Sequence, residues 1–502
     1  MKLSKLLRQV TYRVIKGTED TDIRAVRCDS RLVEPGDVFV CIRGYETDGH
    51  RFLSEAIRKG AAAVVVQENC PGCQEQGACP GCRRMAEEIT ALAVADTRRA
   101  LALMAASYYG HPAKELRVIG ITGTKGKTTT AYMIRAGLAA AGVRTGFIGT
   151  VQIDTGKRIF TCGNTTPESL QIQAYLREMA DSGCDSVVME VSSQALKLHR
   201  TDGIRFCAGI FTNLGRDHIG PGEHADMEEY LQCKRRLFFQ CDTAIGNGDD
   251  EHLAEIWQGS SCRKITYGTL EKTSAAEYLA SEIQCTDEGN RLGITCQVQG
   301  GAGGRLRLSM PGRFNVSNGL AAIAALKVLD VPEQVIFGAL ETVSVPGRME
   351  AVSELADCRI FIDYAHNAMS LQKSLETLRE YRPGRLVVVF GCGGNRSRER
   401  RFTMGETAGI YADFTIITTD NPRFEAPGAI IKDIERGIKK TKGDYRIIAD
   451  RQEAVAYAVR RRRPRDVILI AGKGHETYQE IRGVRYPMDD RELVRKCTQI
   501  LS

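Results

Sequence analysis

Short apolar runs alternate along the chain with stretches of helical periodicity, and most of the runs end in a polar cluster. Asp37–Ile42 and Ala62–Val66, then Arg117–Ile121, Asp185–Glu190 and Cys207–Phe211, read as buried strands. Arg359–Ile362, Leu386–Phe390, Phe414–Ile417 and Val467–Ile470 repeat the pattern towards the C-terminus. Asp96–Tyr109, Thr129–Ala141 and Glu453–Val459 carry helical periodicity between them. Strands alternating with helices predict an α/β protein built on parallel sheets. At 502 residues the chain exceeds one ordinary core. The turn Gly110-His-Pro and the change of motif near Val345 divide it into three expected domains, 1–112, 113–344 and 345–502.

Composition narrows the class. Hydrophobic residues make up 43% and charged residues 26%, so a sizeable core is available and no large segment needs to be disordered. No apolar run approaches the roughly 20 residues that cross a bilayer, and the N-terminus has no secretion signal, so the expectation is a cytoplasmic protein without membrane insertion. The net charge of +7 is spread among acids, which favours anionic small molecules over nucleic acid. The one dense run, Arg460–Arg463, reads as a solvated face. Seventeen cysteines without a signal imply reduced thiols. Cys70, Cys73, Cys79 and Cys82 form two Cys-Pro-Gly-Cys knuckles in an insertion spanning 70–82. They read either as a closed thiolate set for a structural Zn²⁺ or as a cysteine-rich loop.

The chemistry begins in Ile119–Thr130, where a glycine-punctuated loop follows an apolar run and opens a helix. Glycines without Cβ let backbone N–H groups close around phosphate oxygens, Lys127 can reach the outer phosphates, and the Thr128 hydroxyl can hold Mg²⁺. Ile121 stands where the strict phosphate-loop pattern has its first glycine, which leaves the shorter Gly123–Thr128. Glu190, Asp217 and His218 follow apolar runs on the same side of the expected sheet, where cation ligands would be needed. In the last segment the runs end in Asp363-Tyr-Ala-His366, Gly391–Arg396, Thr419–Arg423 and Gly472–Glu476, a second sheet edge with arginines suited to carboxylates. These residues describe an ATP-dependent enzyme with a second ligand site in a Rossmann-like domain.

Asn164-Thr-Thr-Pro-Glu168, Met189–Ser193, Phe314–Asn318, Gly347-Arg-Met-Glu350 and Asp363–His366 stand in the order found in the Mur ligases, which the chain resembles over nearly its whole length. The resemblance implies a UDP-substrate domain, a central P-loop ATPase domain and a mobile C-terminal Rossmann-like domain. It implies an ATP-dependent ligase of peptidoglycan precursor synthesis that works through an acyl phosphate, with UDP-N-acetylmuramoyl-L-Ala-D-Glu and meso-diaminopimelate as substrates, in a monomer. Gly123, Thr124, Lys125, Gly126, Lys127, Thr128, Thr129, Asn315, Arg348, Asp363 and His366 would bind ATP. Lys127, Glu190, His218 and Lys234 would be catalytic, with Thr128 and Glu190 on one Mg²⁺ and His218 and a carbamylated Lys234 on a second. Without the resemblance, Lys234 reads as a solvated helix lysine. Ser30, Thr165, Thr166, Ser192 and Arg200 would bind the nucleotide peptide, and Arg396, Asp420, Asn421, Pro422, Arg423, Gly472 and Glu476 the amino acid. Asp420-Asn-Pro-Arg423 resembles the motif of diaminopimelate-adding members, the arginine meeting a second carboxylate that lysine lacks. The plain alternative is a surface arginine in a proline turn.

Lys125, Gln194, Asn367-Ala and the segment 219–224 depart from the usual family pattern, and the cysteine pairs have no counterpart in it. The competing functions are a lysine-adding or other ligase on the same scaffold, and a degenerate nucleotide-binding protein that docks a partner.

Overall fold

A computed structural model describes residues 1–44, 47–68, 89–161, 163–220, 222–273, 275–288, 291–352, 355 and 357–499. Cys70, Cys73, Cys79 and Cys82 lie outside the described residues. By compactness the chain divides into two units, 1–267 with 324–331, and 268–323 with 332–502.

The first unit holds two sheets. In the N-terminal one the strands run in the order Arg13–Lys16, Thr90–Val94, Ala63–Gln67, Val38–Val40 and Val26–Arg27, all parallel except the first pair. The helix Thr97–Tyr108 packs Ala100, Leu101 and Met104 into its core, and Asp96 caps it by accepting from the N–H groups of Arg98 and Arg99 at 2.8 and 3.0 Å. In the second sheet Cys241–Asn247, Phe206–Phe211, Arg117–Thr122, Ser186–Glu190 and Thr145–Ile148 are consecutive parallel neighbours. Their near-continuous apolar sequence follows from burial on both faces, with Val118, Val187, Met189, Phe206 and Phe211 in one core. The chain leaves Arg117–Thr122 towards one edge and later fills the other side, so the topology reverses beside that strand. Ligands of open α/β sheets bind at such a reversal, outside the C-terminal strand ends.

The second unit pairs Tyr278–Glu288, Arg291–Gly300 and Gly304–Leu308 as an antiparallel meander. Its main sheet has the order Glu350–Ala351, Cys358–Asp363, Asp466–Ala471, Arg385–Phe390, Phe414–Ile417 and Tyr445–Ile447. Only the Glu350–Ala351 edge is antiparallel, so the expected parallel sheet is present with one added edge. The hairpin of Tyr478–Ile481 and Val484–Pro487 forms a two-stranded sheet of its own, bridged to Arg423 through Ile481.

Several expected elements shift by a residue or two. The one that matters is the helix expected from Thr129, which begins at Lys127 because Gly126, at φ +88°, makes the turn into it. Lys127 and Thr128 therefore sit in its first turn, beside the unpaired N–H groups. Arg460, Arg461 and Arg463 are exposed as expected of a solvated run, while Arg462 pairs with Asp357 at 3.0 Å. Among the described residues no helix is long and apolar enough to cross a membrane.

Candidate active site

The phosphate loop is held by the neighbouring strand end. Gly123 has φ +152°, and a Cβ there would lie 1.9 Å from Thr212 Oγ1, so only glycine lets the loop pass. The Lys125 N–H donates to Asn213 Oδ1 at 2.9 Å, and Thr212 Oγ1 and Asn213 Nδ2 donate to the Lys125 carbonyl at 2.6 and 3.0 Å. Lys127 Nζ curls over the loop and donates to the Gly123 and Thr124 carbonyls at 2.7 and 3.2 Å. A flexible ammonium parked on carbonyls can transfer to phosphate oxygens without crossing the site.

Glu190, the last residue of its strand, is fully buried and accepts from Thr128 Oγ1 at 2.8 Å, Thr150 N–H at 2.8 Å and Thr150 Oγ1 at 3.2 Å. Both carboxylate oxygens are thereby committed, Oε1 to the Thr150 N–H and Oε2 to the Thr128 and Thr150 hydroxyls. Glu190→Leu would leave the Thr150 N–H and both hydroxyls without their acceptor. Unfolding by denaturant should show a loss of about 1–3 kcal/mol for each unsatisfied group.

Lys234 is the clearest departure from the plain reading of its residue type. It is buried on the helix Met227–Arg235, with Nζ 4.4 Å from the centroid of the Tyr230 ring one turn earlier. Burial pushes its pKa well down, the nearby Lys127 charge adds to this, and Asp217 opposes it. A solvated lysine is thus the wrong description, because the helix turns this face into the protein. Tyr230 is the hub that motif reading missed. Its hydroxyl shares a hydrogen bond with Thr124 Oγ1 at 3.1 Å, and the His218 and His224 rings lie 6.3 and 5.1 Å from its own. The Tyr-x-x-x-Lys spacing on one helix face was the available signal.

His218 and Asp217 do not join Glu190. His218, at φ +56°, is half exposed and faces Glu223 at 3.1 Å, while Asp217 pairs with Lys125 at 3.1 Å. Burial works against the Asp217 charge, yet the Lys125 ammonium and His218 hold its carboxyl below the usual range. Among the described residues no three His, Cys, Asp or Glu side chains gather into a metal cage.

Four of the residues expected on the nucleotide peptide form one network with the strand end. Thr166 Oγ1 donates to the Glu190 carbonyl at 2.9 Å and accepts from the Ser192 N–H at 3.0 Å; Arg200 Nη1 donates to the Thr166 carbonyl at 2.9 Å. Thr165 Oγ1 meets Thr150 Oγ1 at 3.1 Å, and Arg200 pairs with Glu168. Ser192 also caps the helix Ser193–Lys197. Ser30 lies in the N-terminal sheet's turn, donating to Glu55 Oε2 at 3.2 Å.

In the second unit, Asp363, the Gly391–Arg396 loop, Asp420–Arg423 and Gly472–Glu476 all follow the C-terminal ends of parallel strands. Asp363 accepts from the Met349 N–H at 2.8 Å and Ser374 Oγ at 3.2 Å; burial pushes its carboxyl up, opposed by Arg348. The Arg348 guanidinium lies over the Tyr364 ring and the His366 ring packs against it at a 60° tilt, each 4.8 Å from its centroid. Asn315 sits separately, donating to the Pro311 carbonyl at 2.8 Å.

Arg423 occupies the left-handed region at φ +52°, held there by hydrogen bonds on both sides of its peptide plane: its N–H donates to the Glu480 carbonyl at 3.0 Å, and its carbonyl accepts from Arg482 at 2.7 Å. Its Nη1 donates to the Gly394 carbonyl at 2.8 Å and the side chain is only 24% exposed, which a solvated turn arginine would not be. Asn421 Nδ2 donates to Glu476 Oε2 at 2.7 Å, and the buried Lys473 Nζ donates to both Asn421 Oδ1 and Glu476 Oε2 at 3.0 Å. A Cβ on Gly472, at φ +107°, would stand 2.7 Å from Asp420 Oδ2. Arg396 is exposed on its loop. Lys473, three residues before Glu476, is a second group the motif reading passed over.

A parallel sheet whose central strand opens into a glycine turn, a buried carboxylate and a hydroxyl in the first helical turn defines a nucleotide-binding enzyme of the P-loop class. Residues 121–326 match the Mur ligase middle domain, residues 347–474 the Mur ligase glutamate ligase domain, and residues 22–109 the catalytic domain of the Mur ligase family. The chain belongs to the Mur ligase family. It is 41% identical to the UDP-N-acetylmuramoyl-L-alanyl-D-glutamate--2,6-diaminopimelate ligase of Caldanaerobacter subterraneus subsp. tengcongensis, over 99% of this chain and 98% of that one. It is 38% identical to the protein of the same name from Clostridioides difficile, over 99% of each. A solved structure with that name superposes with a TM-score of 0.69 at 28% identity, covering 100% of this chain and 99% of that one.

Proposed function

We propose that this chain joins UDP-N-acetylmuramoyl-L-alanyl-D-glutamate to meso-2,6-diaminopimelate, using ATP to make an acyl phosphate. The observation that carries the reading is the Asp420–Arg423 turn. It presents a guanidinium and, through Asn421, the Glu476 carboxylate, fixed charges of both signs for the zwitterionic far end of a diamino acid. The relatives that cover the whole chain carry the same substrates in their names. We further propose three functional domains, 1–112, 113–344 and 345–502, with the three family matches falling one in each.

A carboxylate is a poor acyl donor. Transfer of the γ-phosphoryl group to the terminal carboxyl of the dipeptide makes it reactive; the amine then attacks the acyl carbon, and inorganic phosphate leaves as the amide forms. The residues Gly123–Thr129 cradle the triphosphate, and Lys127 leaves the loop carbonyls to neutralise its outer oxygens. The Thr128 hydroxyl and Glu190 carboxylate, in contact at the loop, are the hard oxygen set that Mg²⁺ accepts alongside waters and phosphates. His218 and a carbamylated Lys234 are the proposed ligands of a second Mg²⁺. Bound there, Mg²⁺ would supply charge neutralisation on the phosphate oxygens. Burial favours the neutral form of the Lys234 amine, the form that reacts with CO₂, which supports the carbamate. Ser30, Thr165, Thr166, Ser192 and Arg200 are assigned to the nucleotide peptide, and Asn315, Arg348, Asp363 and His366 to ATP. Arg396, Asp420, Asn421, Pro422, Gly472 and Glu476 accompany Arg423 on the amino acid.

Phosphate release from ATP tests this directly. With UDP-N-acetylmuramoyl-L-Ala-D-Glu present, meso-diaminopimelate should support turnover while lysine and no amine should not. Release with lysine in its place would make this a lysine-adding ligase. No release under any condition would leave a nucleotide-binding protein.

A further inference from the structure

Glu480 has no place in the motifs, yet it faces the guanidinium on which substrate choice rests. The hairpin strand Tyr478–Ile481 lies along the Asp420–Arg423 turn, with the Glu480 N–H donating to Asn421 Oδ1 at 2.9 Å and the Arg423 N–H to the Glu480 carbonyl at 3.0 Å. These bonds fix both backbones. The Glu480 carboxylate is thereby set with Oε2 3.6 Å from Arg423 Nε, beyond a full hydrogen bond but within an ion pair, and the side chains are 24% and 23% exposed. One guanidinium donor, Nη1, is already spent on the Gly394 carbonyl.

We propose that Glu480 is the resident counter-ion of Arg423, a carboxylate that the distal carboxylate of the incoming diamino acid must displace. The inference rests on the assignment of Arg423 in the proposed function. A loose, partly solvated pair neutralises the guanidinium while the site is empty, and its cost falls on binding. The arriving carboxylate meets a second negative charge beside the same fork, so either Glu480 swings into solvent or the two anions share one cation. Glu480 thus limits affinity for the substrate that Arg423 selects. Glu476, another carboxylate on this edge, is tied to Lys473 and Asn421.

Steady-state phosphate release by the full chain, with ATP and the nucleotide dipeptide saturating and meso-diaminopimelate varied, reads the effect. Glu480→Gln should lower the KM for meso-diaminopimelate about three- to fivefold. Glu480→Ala should do the same, and lysine, with no distal carboxylate, should still support no phosphate release in either variant. In an Arg423→Ala background the gain should vanish, which a merely structural role for Glu480 would not produce. An unchanged KM in both single variants overturns the proposal, and a raised one places Glu480 on the distal ammonium instead. A wild-type chain that releases no phosphate with meso-diaminopimelate overturns the ligase reading and this inference together. That result is distinct from failure of Glu480 alone, where the wild type turns over and the variants match it.

Discussion

Lys234→Ala should lower kcat by about 10²–10³-fold, the scale on which removal of a single charge-stabilising group acts, and formate or acetate should restore part of the lost phosphate release. The argument starts from burial. Desolvation at this depth disfavours the charged amine, and the neighbouring Lys127 pushes its pKa down further. What the side chain offers is a neutral nitrogen on a helix face that also bears Tyr230, whose hydroxyl touches the phosphate-loop Thr124. Carbamylation would convert that nitrogen into an anionic oxygen donor, and a short carboxylic acid diffusing into the space left by alanine would imitate it. Full activity in Lys234→Ala would remove the carbamate from the mechanism. Stability should move the other way. Between the depressed pKa and the ordinary lysine range the unfolded chain binds more protons than the folded one, so unmodified Lys234 contributes a stability that rises with pH and is least at low pH. Lys234→Met, which fills the volume without a titrating group, should melt at least as high as the wild type near neutral pH while remaining inactive.

Lys234 also shows where the sequence is legible and where it is not. Parallel strands buried on both faces write themselves as continuous apolar runs, and polar clusters at their ends mark the binding edge, so Glu190, Asp363 and Asp420–Arg423 could be placed on strand ends from pattern alone. A helix position is harder: Met227, Tyr230 and Leu231 put Lys234 on the inward stripe of its helix, but the residue type and the Arg-Arg that follows argue for solvent. Contacts between strand ends distant in sequence are harder still. Thr150 reaches Glu190 from 40 residues away, and Glu480 reaches Arg423 from a hairpin with no motif of its own. Residue type plus spacing identifies a phosphate loop; it does not say that Asp217 will be taken up by Lys125, or that Lys473 will sit buried between Asn421 and Glu476.

Arg423→Ala should reduce kcat/KM for meso-diaminopimelate by about 10²-fold, since truncating one partner of a partly buried, charge-assisted contact costs about 2–5 kcal/mol and the 24% exposure of this side chain places it at the lower end. The loss should fall mainly on the KM for the amino acid, with the KM for ATP unmoved, because the phosphate loop belongs to a different sheet and Asp363 ends a different strand. Arg423→Lys should recover little. Nη1 is held by the Gly394 carbonyl while the rest of the fork stays available, and a lysine ammonium can do only one of these tasks. The positive φ makes the same point from the backbone. A non-glycine residue is kept at φ +52° by the Glu480 carbonyl and the Arg482 N–H, and that arrangement aims the side chain at the loop after the Arg385–Phe390 strand rather than into solvent. Unchanged turnover of meso-diaminopimelate in Arg423→Ala would show that this turn does not read the second carboxylate. Selection against lysine would then have to come from Arg396 or from the Lys473–Glu476 pair, and the same titrations with Arg396→Ala and Glu476→Gln would say which.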